Sequence, residues 1–173
     1  MAMTLFGIQR DTRDNRPPKQ APNSGGRWHT GSQMVRYLSE SPALAILEFL
    51  KGKMTMLNES EFSHSNFLLT SWTLNIDPAA MPSTNPSDLP LGWQHIPYRH
   101  SLATQRLGNA WLASNQSLAL RVPCATLPLG MGWNVLLNLA HPDFPTPVPA
   151  GCVTATPFEL PFYLGVHQAL KPK

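Results

Sequence analysis

The sequence has little charge, few cysteines and no long apolar run. Only 13% of its 173 residues are charged, whereas 42% are hydrophobic, which argues against a disordered chain. Cys124 and Cys152 are too few and too far apart for a disulfide framework or a zinc knuckle. No segment approaches the roughly 20 apolar residues of a membrane span, and no N-terminal run has signal-peptide length. We therefore expect a cytoplasmic protein without a membrane partner.

Several common functional motifs are also missing. The sequence contains neither G-x-G-x-x-G nor G-x-x-x-x-G-K-[ST], the glycine-rich loops that hold phosphates. Its six histidines show no H-x-x-x-H or H-E-x-x-H spacing, so we expect no metal site. The net charge of +3 is small for a protein that binds nucleic acid directly, since such proteins usually have a basic helix or a basic stripe on their surface.

The basic residues that are present cluster near the start of the chain. A mild, local excess of this kind suits an anionic small molecule or an acidic partner. The alternative is a solvated and frayed N-terminus, which we prefer for three of the residues: Arg13, Arg16 and Lys19. The other members of the cluster are Arg10, Arg27 and Arg36.

The arrangement of apolar segments indicates one α+β domain over residues 1–173. Eighteen prolines argue against a helical bundle and predict short elements joined by loops. There is no βαβ alternation, so a doubly wound sheet is not expected. Periodicity predicts helices over 42–50 and 105–114, and strands over 4–9, 33–38, 67–76, 118–122, 133–139 and 158–166.

Glu48 is the most unusual residue of the first predicted helix. Ser41 is a good N-cap, Pro42 suits the first helical position, and Gly52 can end the helix. Apart from Glu48, the run Ala43–Leu50 has no polar side chain, which predicts a helix enclosed on most sides. A buried carboxylate is costly unless it is paired, protonated or used. The alternative is a glutamate that reaches solvent or pairs with Arg27 or Arg36.

Arg27 and Tyr37 lie a short distance before this helix. Arg27 follows two glycines, and its guanidinium fork suits a phosphate or carboxylate that approaches the backbone. The alternative is an arginine stacked on Trp28 at the surface. Tyr37 lies in a predicted strand, where its ring can stack on a flat heterocycle or simply be half buried. Cys124 ends another strand, and without a nearby histidine we favour a structural thiol over a nucleophile.

Several segments, taken in order, resemble the RES-domain family, the toxin halves of RES–Xre toxin–antitoxin pairs. The similarity covers roughly residues 25–144, whereas 1–24 and 145–173 diverge. It is carried by GGRWHTG, VRYLSESPALAILEFL, LPLGW, LGNAWLASNQSLALRVPCATLP and NVLLNLAHPDF.

The resemblance implies a fold, a reaction and a partner. The fold is an ADP-ribosyltransferase-like core, with two small sheets and short helices around an NAD cleft. The reaction is NAD degradation by cleavage of the nicotinamide–ribose bond, through phosphorolysis or hydrolysis, with inorganic phosphate as the possible co-substrate and no further cofactor. The expected partner is an Xre-like antitoxin. A homodimer and a toxin–antitoxin hetero-oligomer both remain open.

The resemblance also assigns the site residues. The family's arginine, tyrosine and glutamate correspond to Arg27, Tyr37 and Glu48, and Trp28 and His29 belong to the same NAD-binding segment, although asparagine is common at the position of His29. The family's V-P-S serine is Cys124 here, which predicts reduced or altered activity. The segment PFELPFYLGVHQ does not match the family's C-terminal pattern. Two alternatives are a degenerate protein that binds NAD or antitoxin without turnover, and an ADP-ribosyltransferase acting on a protein.

Overall fold

The computed structural model describes residues 2–10, 25–31, 33–54, 67–97, 100–128, 130–145 and 148–158. Within these ranges the chain forms six strands and two α-helices, with short 3-10 turns at Pro86–Asp88 and Trp93–His95. The strands are β1 (Ala2–Arg10), β2 (Val35–Ser39), β3 (Phe67–Asn75), β4 (Ala119–Pro123), β5 (Trp133–Asn138) and β6 (Val153–Phe158), and the helices are α1 (Pro42–Met54) and α2 (Leu102–Ser114).

The strands form one antiparallel sheet in the order β4-β5-β2-β1-β3-β6. Within each three-stranded half, neighbouring strands pair along their length, as β1 does with β3 from Ala2↔Asn75 to Arg10↔Phe67. The halves meet only where β1 pairs with β2, at Phe6↔Ser39. We call this place the junction. The α+β class is confirmed, but the expected two separate sheets are here two halves joined by a single residue pair.

Two hydrophobic clusters cover opposite faces of the β4-β5-β2 half. Side chains alternate along a strand, so Leu38 and Val135 enter one cluster while Val35 and Leu136 enter the other. The second cluster also contains Trp28, Trp93, Trp111, Leu120 and Val122. Tyr37 and Ser39 have the same parity as Val35, and Tyr37 packs against this second cluster. Tyr37 and Ser39 therefore lie on the face of the sheet that the tryptophan-rich cluster covers.

Helix α1 begins as predicted but is longer and less enclosed. The backbone N–H of Leu44 donates to Ser41 Oγ at 3.2 Å, which confirms the N-cap. The helix continues through Gly52 to Met54, because Gly52 does not adopt the left-handed conformation that ends helices. Within 43–50 only Leu44 and Ala45 are buried, so the helix covers the sheet with one side rather than lying inside the core.

The other predicted elements agree within a few residues, except at the C-terminus. The last described strand is Val153–Phe158, whose β-branched residues suit an edge position beside β3. This strand was not predicted, and the strand predicted over 158–166 lies, beyond Phe158, outside the described ranges. The predicted loop over 11–24, with Arg13, Arg16 and Lys19, also lies outside them.

Candidate active site

The segment Gly25–Gly31 folds closely around the hydroxyl of Tyr37. Gly26 N–H donates to the carbonyl of His29 at 3.0 Å, and Gly25 has a φ of +126°, a conformation that favours glycine. A Cβ on Gly26 would lie 2.7 Å from Tyr37 Oη. Gly26 therefore allows the close approach of Tyr37, and Gly25 allows the backbone conformation just before it.

The Tyr37 hydroxyl has two protein partners. It accepts a hydrogen bond from Trp28 N–H at 3.1 Å and lies 2.7 Å from His29 Nδ1. Burial raises the pKa of the Tyr37 phenol, so the group stays neutral at physiological pH. His29 is fully buried and Trp28 almost so. Both residues are predicted to bind NAD, and in this structure both are buried and contact the Tyr37 hydroxyl.

Helix α2 fixes the backbone of the same segment. Thr104 Oγ1 donates to the carbonyl of Arg27 at 2.5 Å, and Gln105 Nε2 donates to the carbonyl of Gly26 at 2.9 Å. Gly108 lets the two backbones touch, because a Cβ there would lie 1.7 Å from the Trp28 carbonyl oxygen. The sequence analysis missed this support, although the LGNAW segment that contains Gly108 is part of the family similarity.

Arg27 joins this segment to the loop before α2. Its Nη1 donates to the carbonyls of Trp93 and Ile96, both at 2.9 Å, and to Ser101 Oγ at 3.2 Å. The guanidinium lies 5.7 Å from the centre of the Trp93 ring, so the predicted alternative of stacking on Trp28 is wrong. Within the described ranges, Nε and Nη2 of Arg27 have no hydrogen-bond acceptor.

Arg27 also shares an electrostatic environment with the other site residues. Burial lowers the pKa of its guanidinium, and the nearby charge of Glu48 and the phenol of Tyr37 act in the opposite direction. The structure thus brings together the three residues that the sequence analysis had selected. The side chain of Arg36, in contrast, lies 5.4 Å over the ring of Trp72, which belongs to the other hydrophobic cluster.

One carboxylate oxygen of Glu48 is held by two side chains. Oε1 accepts a hydrogen bond from Asn134 Nδ2 at 2.9 Å and another from Cys124 Sγ at 3.0 Å. Among the described residues, Oε2 has no hydrogen-bond donor and Glu48 forms no salt bridge. The predicted alternative of an ion pair with Arg27 or Arg36 is therefore wrong for the described part of the chain.

Cys124 acts as a hydrogen-bond donor at this site. Its side chain is 2% exposed, and its sulfur accepts a hydrogen bond from Thr126 N–H at 3.2 Å. Burial raises the pKa of the thiol, and the hydrogen bond and negative charge of Glu48 raise it further. The thiol therefore stays protonated beside the carboxylate. This environment is the opposite of the electropositive one that activates a cysteine nucleophile.

Sequence reasoning missed Asn134 and Ser39. Asn134 Oδ1 accepts a hydrogen bond from Ser39 Oγ at 2.7 Å, and the two residues are direct partners in the β2–β5 register. Both point to the face that carries Tyr37. The sequence signal for Asn134 was its polar side chain at the start of the apolar NVLLN strand. Its pairing with Ser39 could not be predicted, because that pairing depends on how β2 and β5 align in the sheet.

A cavity of about 200 Å³ opens at the junction, where β1 and β2 separate beneath α1. Tyr37, Glu48 and Asn134 contribute to its wall, as do Ser39, Gly7 and Phe49. Pockets that enclose a whole cofactor-sized ligand usually have about 300–1,000 Å³. This cavity therefore suits one end of a long ligand, with the remainder lying outside it.

Neither a metal cluster nor a membrane helix occurs in the described part of the chain. No group of three or more His, Cys, Asp or Glu side chains is arranged there to hold a metal ion. No helix in those ranges is long and apolar enough to cross a bilayer.

Comparison with known proteins assigns the chain to a family. The model of the RES domain matches residues 4–161. The chain belongs to the RES-domain family. This RES domain is 32% identical over 126 residues to a protein named Toxin Res from Yersinia enterocolitica, covering 73% of this chain and 76% of the relative. It is 31% identical over 121 residues to the Toxin Res of Photorhabdus laumondii, covering 69% and 70%.

The RES-domain fold also has a counterpart among crystal structures. A chain from the M. tuberculosis MbcT–MbcA toxin–antitoxin complex superposes with a TM-score of 0.62, covering 97% of this chain and 90% of that one. The sequence identity is 12%, so this similarity shows the shared fold alone. The family resemblance expected from GGRWHTG and the later segments is confirmed.

Proposed function

We propose that this RES-domain protein is the toxin of a toxin–antitoxin pair, and that it cleaves the nicotinamide–ribose bond of NAD. The observation that carries the proposal is the state of Glu48. Its Oε1 is held by Asn134 and Cys124, while Oε2 has no donor among the described residues, at a cavity also lined by Tyr37. A positioned carboxylate of this kind stabilises positive charge that develops in a transition state.

The bond that breaks makes such a charge. Nicotinamide leaves with the electron pair of the carbon–nitrogen bond, and the ribose becomes oxocarbenium-like, as sugars do in glycoside hydrolysis. In our proposal Glu48 Oε2 faces that ribose, where it stabilises the cation and orients a ribose hydroxyl. Water or inorganic phosphate then attacks the ribose carbon, and no cofactor beyond NAD is needed.

Arg27 supplies the cation for the phosphate groups. Its Nη1 is occupied by the carbonyls of Trp93 and Ile96, but Nε and Nη2 have no acceptor within the described ranges. These N–H groups are suited to the NAD pyrophosphate or to the incoming phosphate. The hydrogen bonds from Nη1 to the carbonyls of Trp93 and Ile96 also hold the guanidinium in place before NAD or phosphate binds, which lowers the entropic cost of binding.

In our proposal Tyr37 contacts NAD through the face of its ring and does not transfer a proton. Its hydroxyl is engaged with Trp28 and His29, and burial raises the pKa of the phenol. The ring lines the cavity. We therefore assign it to stacking against nicotinamide, which fixes the angle between the ring and the ribose.

Purified protein with NAD, in buffers with and without inorganic phosphate, tests the reaction. We expect release of nicotinamide, and the other product identifies the acceptor: a phosphorylated ADP-ribose for phosphorolysis, free ADP-ribose for hydrolysis, or labelled protein for transfer. No turnover in either buffer would overturn the enzyme proposal. If calorimetry then still detects NAD binding, the protein is a degenerate member that binds without reaction.

The biological role is supported by relatives named Toxin Res and by the fold shared with a chain of a toxin–antitoxin complex. We infer a small Xre-like antitoxin as the partner. Expression of the chain alone should halt growth and lower cellular NAD, and co-expression with the antitoxin should restore both. Normal growth with unchanged NAD would contradict the toxin assignment.

A further inference from the structure

The carboxylate of Glu48 is connected to the middle of the sheet through a short chain of side chains. Ser39 Oγ donates to Asn134 Oδ1 at 2.7 Å, and Asn134 Nδ2 donates to Glu48 Oε1 at 2.9 Å. Ser39 is 4% exposed, so its hydroxyl has little access to water. We propose that Ser39 is a positioning residue: it orients the Asn134 amide, which in turn fixes Glu48 for the cleavage proposed above.

The direction of the hydrogen bonds supports this role. A carboxylate only accepts hydrogen bonds, so the Asn134 NH₂ group must face Glu48 and the amide oxygen must face the other way. Ser39 supplies the donor for that oxygen. Without it, the half-buried amide oxygen would lose its hydrogen bond from Ser39, and rotation of the Asn134 side chain would no longer be opposed.

The position of Ser39 in the sheet adds a second reason. Its backbone pairs with Phe6 of β1 on one side and with Asn134 of β5 on the other, so it lies where the two halves of the sheet meet. The cavity opens at the same place and includes Ser39 in its wall. Ser39 and Asn134 both belong to the β4-β5-β2 half, so a shift between the halves would move them together. This inference rests on the proposed reaction only for the effect of Ser39 on catalysis. The hydrogen bonds that connect Ser39, Asn134 and Glu48 do not depend on that reaction.

The test uses a double-mutant cycle with Ser39→Ala and Asn134→Leu, assayed by nicotinamide release. We expect Asn134→Leu to lower kcat about 100-fold, the usual effect of removing one electrostatic catalytic contact, with a small change in KM. Ser39→Ala should lower kcat about tenfold and add almost nothing in the Asn134→Leu background, because coupled residues are not additive. Independent, multiplicative effects would overturn the proposal. Ser39→Thr, which restores a hydroxyl, should recover most of the loss.

Asn138→Leu is the matched control. Asn138 lies in the same strand, is 2% exposed, and donates through Nδ2 to Asn115 Oδ1 at 2.7 Å, but it does not contact Glu48. Because Asn138 is more deeply buried than Asn134, its replacement should destabilise the fold at least as much as Asn134→Leu while leaving kcat near the wild-type value. An equal loss of kcat in both leucine variants would show that Asn134 has only a structural role.

A measurement without NAD separates this inference from the proposed reaction. The side-chain NH₂ signals of Asn134 in an NMR spectrum can be assigned by their loss in Asn134→Leu. We expect Ser39→Ala to shift or broaden these signals and Ser39→Thr to restore them. Unchanged signals in Ser39→Ala would overturn the inference even if the enzyme cleaves NAD. If the wild type does not cleave NAD, the proposed reaction fails and these signals alone decide whether Ser39 orients Asn134.

Discussion

The two sides of the site are held in different ways. On the Arg27–Tyr37 side, the polar groups bind mainly to the protein: Nη1 of Arg27 has three acceptors and the Tyr37 hydroxyl has two partners. On the Glu48 side, one carboxylate oxygen is held and the other faces the site without a donor among the described residues. This difference supports our proposal that the first side binds NAD, through Nε and Nη2 of Arg27 and the ring of Tyr37, whereas the free carboxylate oxygen of the second side takes part in the chemistry.

The largest expected effect on the binding side is at Gly108. Gly108→Ala would place a Cβ 1.7 Å from the Trp28 carbonyl oxygen, so α2 or the Gly25–Gly31 segment must move. We expect a loss of about 3 kcal/mol or more in the free energy of unfolding, measured by denaturant titration. Gly52→Ala in α1 is the control, because nothing lies within 4 Å of the added Cβ, and it should stabilise the protein by about 1 kcal/mol. A Gly108→Ala protein as stable as the wild type would show that α2 does not support the site.

Removal of the Tyr37 hydroxyl tests whether its role is positional. Tyr37→Phe keeps the ring but leaves Trp28 N–H and His29 without their shared partner. We expect a loss of about 1–3 kcal/mol in stability together with weaker NAD binding. His29→Asn should be milder, since an amide can still reach the hydroxyl. Full stability and full NAD affinity in Tyr37→Phe would contradict the idea that Trp28 and His29 act by holding the ring.

The chemical side can be sharpened at Cys124. A serine hydroxyl is a stronger hydrogen-bond donor than a thiol, so Cys124→Ser should hold Glu48 Oε1 more firmly. We expect nicotinamide release to rise severalfold, measured at saturating NAD. An unchanged or lower rate would show that this chain is adapted to its thiol.

The smallest expected effect is a pH dependence from the same residue. The folded state raises the Cys124 pKa above its ordinary value of 9.0, so the unfolded thiol loses its proton first as the pH rises. The stability contributed by the protonated thiol is present below pH 9.0 and is lost above it. The melting temperature should therefore fall more steeply between pH 7 and 10.5 for the wild type than for Cys124→Ser. Parallel curves would contradict this account of the thiol.

The sequence was sufficient for the parts that depend on local pattern. Neighbouring residues predicted the N-cap at Ser41 and most strand positions. The residue pattern and the family resemblance together selected Arg27, Tyr37 and Glu48, which the structure brings close to one another. The contacts between distant segments did not. The pairing of Ser39 with Asn134 depends on the β2–β5 register, and the fit of Gly108 against Trp28 depends on the placement of α2. At Gly52 the local pattern itself gave a wrong prediction, because the glycine indicated the end of α1 but the helix continues to Met54.

The most direct test of the difference between the two sides is a paired measurement on Glu48→Gln. The glutamine side chain keeps an acceptor for Asn134 and Cys124 but loses the free carboxylate oxygen. We predict that Glu48→Gln binds NAD with a Kd within about threefold of the wild type, because Arg27 and Tyr37 are the proposed binding groups, while nicotinamide release falls about 100- to 1,000-fold. Equal losses of NAD affinity and of the rate, or an unchanged rate with intact binding, would contradict it.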